Sequence, residues 1–321
     1  MNKKTIPVFF ALDENYAPYF SVALASLIDH ANKENDYTIN VVYSNISDET
    51  KEKLASMATD NIHIIFTDID EKIEPIAAKL KNQSSKTHFP ISVYFRLFLP
   101  SMFPEYDKGI YVDCDTCFNA DIVELYNYDL EDNVIGAIKD ISIQRIAPFI
   151  EYIENAVGID GNMYVNSGVI LMNMKKLREI DFENHFLYIL SKYDFEIVAP
   201  DQDYLNALCK DNIKFLPVEW NAMPIEGEKG VDDPKLIHYN LFLKPWHYSG
   251  IAYEEYFWKY ANKSLFKDRI YQEKERFTED RKAQDGVTLK AMLKQAKDIQ
   301  ENEYTFKKVF ESGLEKRLNL W

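Results

Sequence analysis

The first third of the chain alternates two periodicities. Residues 6–12 (IPVFFAL) form an unbroken apolar run, the pattern of a strand buried on both faces. From about Pro18 the apolar positions move to helical spacing, with Phe20, Leu24, Leu27 and Ile28 on one face. Residues 38–43 (TINVVY) are a β-branched strand. Ser47 is placed to N-cap a helix running to Met57, and residues 62–66 (IHIIF) make a third strand. This β-α-β-α-β order predicts parallel strands with right-handed crossovers, a Rossmann-like half.

In such a sheet ligands sit beyond the carboxyl ends of the strands, so residues just past a strand come under scrutiny. Past Leu12 stand Asp13, Glu14, Asn15 and Tyr16. Past residues 109–112 (GIYV) stand Asp113, Cys114 and Asp115. Residues 92–99 (SVYFRLFL) predict a buried helix with one cation, Arg96. Residues 134–138 form a strand that runs into Lys139 and Asp140. Residues 163–172 (MYVNSGVILM) predict a strand containing Asn166, Ser167 and Gly168. The segment 200–208 (PDQDYLNAL) opens with Pro and acidic residues, a helix start.

From about Glu254 the chain becomes charged, helical in pattern and almost free of Gly and Pro. Leu289, Met292, Leu293, Ala296 and Ile299 make one stripe. This divides the chain into a main domain, 1–253, and a helical C-terminal extension, 254–321, packed on it. A second reading makes the extension a peripheral membrane or partner surface, through its lysines with Phe306, Phe310 and Trp321.

Composition removes several functions. The net charge of -15 over 321 residues argues against nucleic-acid binding, which needs a basic footprint. It also means that a polyanionic ligand must be held locally, by a metal or a few placed cations. Only 10 glycines are present, and neither dinucleotide nor P-loop glycine signature occurs. Three cysteines make no disulfide framework and point to a reducing compartment. The N-terminal apolar run is short for a signal peptide, and no segment reaches the roughly 18–20 apolar residues of a membrane span. The expectation is a cytoplasmic protein, free or peripheral on the inner face of the membrane.

Residues 113–117 (DCDTC) write two motifs over each other. The C-x-x-C lacks the further soft ligands that structural zinc needs, and the interleaved aspartates would raise the thiol pKa. Cys114 and Cys117 are better read as small buried hydrophobes. The D-x-D puts two carboxylates on one face of an extended segment, where a hard divalent cation relieves their repulsion. A solvated strand end is the plainer alternative. His238 is a candidate third ligand, and Lys244, six residues on, can reach a phosphate. Arg96 on an apolar face must pair with an anion, either a phosphate or one of these aspartates. Asp201, Gln202 and Asp203 serve as helix caps or as ligands. Asn166 and Ser167, inside an apolar strand, must be hydrogen-bonded to backbone or ligand.

Taken together, DENY, YFRL, DCD, NSGVILMN, PDQDYLN and HYNLFLKPW, in this order, resemble family 8 of the retaining glycosyltransferases. That group holds bacterial lipopolysaccharide galactosyl- and glucosyltransferases and glycogenin. The likeness covers about residues 6–250. It implies an α/β GT-A fold (Rossmann-like nucleotide-diphospho-sugar transferase), a UDP-hexose donor and Mn²⁺, with Mg²⁺ as the alternative. Carried over, Asp113, Asp115 and His238 match the metal ligands, with Cys114 the middle residue of the motif. Leu12, Asp13, Asn15 and Tyr16 match the uridine loop, and Arg96 and Lys244 match donor contacts near the diphosphate. Asn166 with Ser167, Asp201 and Gln202 match the shell around the transferred sugar, and Asp140 a carboxylate near sugar or acceptor. The family commonly has Gly three residues after the metal histidine; here Leu241 stands there. The resemblance implies transfer of glucose or galactose to a saccharide, glycolipid or cell-surface polysaccharide. The alternatives are a sugar-nucleotide-binding protein without transferase activity and a sugar-1-phosphate nucleotidyltransferase.

Overall fold

Strand β1 (Thr5–Leu12) is buried on both sides because its side chains alternate between two apolar layers. Ile6, Val8, Phe10 and Leu12 face one cluster and Phe9 the other. The chain is described here by a computed structural model covering residues 4–87 and 89–318. The strands β2 (Asp36–Tyr43) and β3 (Ile62–Asp68) pair parallel to β1, as the periodicity predicts. Between them lie helices α1 (Ala17–His30) and α2 (Asp48–Ala55). Ser47 caps α2 by accepting the Thr50 N–H at 3.2 Å.

The other side of the sheet is mixed. Strand β4 (Gly109–Val112) is parallel to β1. A separate strand, β5 (Thr116–Phe118), follows it at once. Next come β6 (Ile135–Lys139), β7 (Val165–Met172) and β8 (Ile213–Phe215). β7 runs antiparallel to both β4 and β6. Among the described residues the sheet order is β3-β2-β1-β4-β7-β6-β8. A two-stranded ribbon of β5 with β9 (Leu236–His238) stands apart from it.

Two expectations shift. The strand over 163–172 begins at Val165, because Gly161–Met163 forms a 3₁₀ turn capped by Asp160, whose side chain accepts the Asn162 N–H. The helix over 92–99 is a 3₁₀ segment, Ile91–Leu97, followed by a single α turn, Leu99–Met102. Its tighter winding still buries Tyr94, Phe95, Arg96 and Leu97 together.

Helix α3 (Ala147–Tyr152) and helix α4 (Pro200–Cys209) cover one face of the sheet. Beyond Glu254 come α5 (Glu254–Ala261), α6 (Lys267–Arg276), α7 (Glu279–Ile299) and α8 (Phe306–Glu311). Phe257, Tyr260 and Ile270 pack with Val22 of α1. Met292, Ala296 and Ile299 of α7, with Phe306, Val309 and Phe310 of α8, enter the main apolar cluster. Phe306 and Phe310 are therefore core side chains rather than a surface for lipid. Trp321 lies outside the described residues. Among those described, no helix is long and apolar enough to cross a membrane.

Candidate functional site

At Val112 the chain leaves the sheet, bends through Asp113–Cys114–Asp115 and enters the ribbon. The Asp113 N–H donates to the Gly168 carbonyl at 2.8 Å, fixing the bend to β7. The ribbon pairs Thr116 with His238, and the Tyr239 N–H donates to the Asp115 carbonyl at 2.9 Å. This register sets the imidazole beside the carboxylates. His238 Nε2 lies 3.3 Å from Asp115 Oδ1 and 3.7 Å from Asp113 Oδ2. One ligand atom from each of the three lies within 4.8 Å of the others. The aspartates thus meet across a corner between two sheets, not along the extended segment expected.

Gly168 makes room for this. A Cβ there would stand 2.2 Å from His238 Cε1 and 2.8 Å from Asp113 Oδ2. Its strand is irregular at that point: the β6–β7 register shifts between Ala137 and Ile138, so Ile138 pairs with Asn166. Such bulges re-aim side chains next to sites.

Two cations stand against the carboxylates. Arg96, 3 % exposed, donates from Nη2 to Asp113 Oδ1 at 2.9 Å and from Nη1 to the Ser167 carbonyl at 2.5 Å. Its Nε lies 3.0 Å from Asp201 Oδ2, an ion pair without a linear hydrogen bond. The guanidinium stacks over Tyr111, whose hydroxyl donates to Asp113 at 2.7 Å. Lys244 Nζ donates to Asp115 Oδ2 and to the Tyr239 carbonyl. Burial alone would raise the Asp115 carboxyl; Lys244 and His238 beside it overcome that and hold it well below the usual range. Burial raises the Asp201 carboxyl, and Arg96 offsets this only in part. Arg96 therefore pairs with these aspartates, one of the two alternatives its sequence left open.

A second set of groups adjoins the first. The Asn166 amide donates to Asp140 Oδ2 at 3.0 Å and Gln202 Oε1 at 3.2 Å, and Gln202 Nε2 donates to Asp140 Oδ2 at 3.0 Å. Ser167 N–H donates to Gln202 Oε1 at 3.0 Å. Asn221 joins the two sets, accepting from His238 Nδ1 at 3.0 Å and donating to Asn166 Oδ1 at 2.9 Å. Because its amide nitrogen is committed to Asn166, its oxygen faces the imidazole. That puts the proton on Nδ1 and leaves Nε2 to the carboxylate side. Asn221 was not singled out from sequence. Its signal was faint: one polar residue among Trp220, Ala222 and Met223, all buried.

Asn221 apart, these side chains line one cavity of about 280 Å³, which Tyr16, Cys114 and Leu241 also reach. Leu12 is buried behind it in β1. Asp13 closes a turn by accepting the Asn15 and Tyr16 N–H groups at 2.9 and 3.1 Å, and Asn15 is exposed. Neither Leu12, Asp13 nor Asn15 reaches the cavity wall. Cys114 donates to the Ala11 carbonyl at 3.3 Å, and burial with the flanking aspartates pushes its thiol well up. Burial likewise pushes Cys117 to about 12, so neither thiol is a ready nucleophile or soft ligand. Leu241 keeps a left-handed backbone, φ 50°, in spite of its side chain.

The sequence profile of glycosyl transferase family 8 matches residues 7–250. The chain belongs to this family. As a family 8 glycosyltransferase it resembles the lipopolysaccharide 1,2-glucosyltransferase of Escherichia coli K12, at 26% identity over 284 residues, 78% of each chain. Two solved structures share its fold. The apo bifunctional glycosyltransferase WbbM superposes with a TM-score of 0.72 at 26% identity, over 85% of this chain and 52% of that longer one. The galactosyltransferase LgtC, solved with donor and acceptor sugar analogs, gives a TM-score of 0.67 at 26% identity, over 81% and 96% of the two chains. The family 8 glycosyltransferase described here thus has the GT-A fold, with α5–α8 lying beyond the matched span.

Proposed function

We propose that this enzyme moves a hexosyl group, glucose or galactose, from a UDP-sugar to a saccharide-bearing acceptor with retention of anomeric configuration, using Mn²⁺. The observation that carries this reading is the convergence of Asp113, Asp115 and His238 within 4.8 Å at the mouth of the sheet, with Arg96 and Lys244 beside them. Two hard oxygens and one imidazole nitrogen, with donor oxygens to complete the shell, suit Mn²⁺ or Mg²⁺. When bound, the cation supplies charge neutralisation for the diphosphate.

The chain's own residues divide the remaining tasks. Tyr16, with the turn held by Asp13 and Asn15 past Leu12, receives the uridine. Lys244 and Arg96 oppose the charge that develops on the departing diphosphate. Asp201, Asn166 and Ser167 hold sugar hydroxyls. Gln202 presents an amide where a nucleophile would be expected. Since an amide is a weak nucleophile, attack comes from the acceptor hydroxyl on the same face. The bond from the anomeric carbon to the diphosphate oxygen breaks, its electron pair leaves on UDP, and the hydroxyl proton passes to that oxygen. Gln202 and Asp140 orient the acceptor and steady the sugar cation.

A donor panel with Mn²⁺, scored by UDP release, tests the reading. We expect turnover of UDP-glucose or UDP-galactose that EDTA abolishes. Asp113→Ala should lose at least a thousandfold in rate while its circular dichroism spectrum stays that of the wild type. Turnover indifferent to EDTA would overturn the metal assignment. Donor binding without any UDP release would favour a non-catalytic sugar-nucleotide-binding protein.

A further inference from the structure

Lys244 reaches the site from a turn that belongs to no helix or strand. Its N–H donates to the Phe242 carbonyl at 2.7 Å, and its carbonyl accepts the His247 and Tyr248 N–H groups at 3.0 and 2.8 Å. Asp115 and the Tyr239 carbonyl hold only the ammonium tip. A backbone segment with no ladder must be ordered by its neighbours, or else ordered at the expense of whatever its side chain binds.

The side chains that follow Lys244 supply those neighbours. Trp246 stacks on Tyr19 of α1 at 3.8 Å between centroids and packs against Phe257 of α5 at 5.0 Å. The His247 ring lies parallel to Phe277, 4.2 Å away and 8° between planes. Its Nε2 stands 3.2 Å from Glu273 Oε1 of α6, which also accepts from Arg281 Nη1 of α7 at 2.9 Å. The Tyr248 hydroxyl donates to Asp285 of α7 at 2.6 Å, and its ring lies 5.1 Å from Phe277. Phe257, Glu273, Phe277, Arg281 and Asp285 all come from beyond the span shared with the family.

Phe277 sits at the elbow between α6 and α7, and both arms are fixed to the main domain. Ile270 of α6 packs with Val22 of α1, and Met292, Ala296 and Ile299 of α7 enter the main cluster. Phe277 itself is half-buried and belongs to none of the apolar clusters among the described residues. It is not needed to fill the core, yet its face is given to an imidazole three residues from Lys244.

We propose that Phe277 and Glu273 are positioning residues for Lys244. The elbow of the C-terminal extension orders the 244–248 turn in advance, so the ammonium meets the donor diphosphate without first having to order its own backbone. The proposal rests on the transferase reading, in which Lys244 opposes the diphosphate charge.

Calorimetric titration of UDP with Mn²⁺ into the full chain tests it. Lys244→Ala should weaken UDP binding at least tenfold, and Phe277→Ala about tenfold. Glu273→Ala should act in the same direction, while Phe277→Tyr, which keeps the ring, should stay within about twofold of wild type. In the Lys244→Ala background, Phe277→Ala should cost less than about twofold, because it acts through the missing ammonium. Thermal melts verify folding, and Glu273→Ala takes the place of Phe277→Ala in the cycle if the latter does not fold. Additive losses would overturn the proposal, since they mark a general structural role. So would UDP affinity unchanged in both elbow variants. Either result leaves the transferase reading standing. A wild type that binds no UDP, or UDP affinity indifferent to Lys244→Ala, instead sinks the donor assignment and this inference with it.

Discussion

Gly168 shows how far the site depends on one missing methyl group. Its backbone carbonyl holds Asp113 in the bend, and its Cα leaves the space that His238 occupies. Gly168→Ala must push the imidazole away from the carboxylates. We expect Mn²⁺ affinity, read by titration with electron paramagnetic resonance, to fall at least tenfold, and stability to drop by about 1–3 kcal/mol. Unchanged metal affinity would show that the cluster tolerates the displacement. Asp113, Asp115, Arg96 and Lys244 were legible in the sequence because charges beside apolar strands and turns demand explanation. Gly168 and Asn221 were not, since their importance arises where segments far apart in the chain touch. Leu241 is a different case. The sequence suggested that a side chain would restrict this position, and the backbone instead accepts the left-handed conformation, at a cost of about 1–2 kcal/mol.

At the scale of elements, the start of α4 decides where Asp201 and Gln202 point. Asp203 fastens it by accepting the Ala199 and Val198 N–H groups at 2.8 and 3.1 Å, besides the two tyrosine hydroxyls. Burial pushes its carboxyl up to about 6, with these donors pulling the other way. In the unfolded chain the same group titrates near about 4. Between those values the folded state binds more protons, so this group's contribution to stability is greatest at the acid end. It is lost as pH rises through 6. Asp203→Asn removes the titration and turns an amide N–H toward other donors. We expect the variant to be less stable, and the wild type's margin over it to shrink by about 1 kcal/mol between pH 5 and 7 in urea melts. A margin that is flat or grows with pH would refute this assignment. Periodicity revealed β1, β2, β3 and the start of α4. The β5–β9 ribbon escaped because three-residue strands carry too little pattern to register.

For the whole molecule, the compositional boundary at 254 does not coincide with a boundary in the core. Met292, Ala296 and Ile299 of α7 and Phe306 of α8 sit in the same cluster as β7 and α4. A chain ending at 253 should therefore expose apolar surface, bind the dye ANS and lose its cooperative thermal transition. A sharp melt like that of the full chain would instead show that the main domain folds alone. The acidity read from composition also takes on a local meaning, since Arg96 and Lys244 lie buried against Asp113, Asp201 and Asp115. The chain of hydrogen bonds from His238 through Asn221 and Asn166 to Gln202 and Asp140 has a thermodynamic consequence. On the proposed reading it ties the cation site to the sugar site, so occupancy of one should be felt at the other. If a UDP-sugar and Mn²⁺ bind there as proposed, linkage requires that any factor by which the donor tightens the metal equal that by which the metal tightens the donor. Replacing Asn221 by Ala should shrink both factors together, which paired titrations would read directly. On that reading the enzyme would hold its metal more firmly while it holds its donor, so that cation and nucleotide would tend to come and go together.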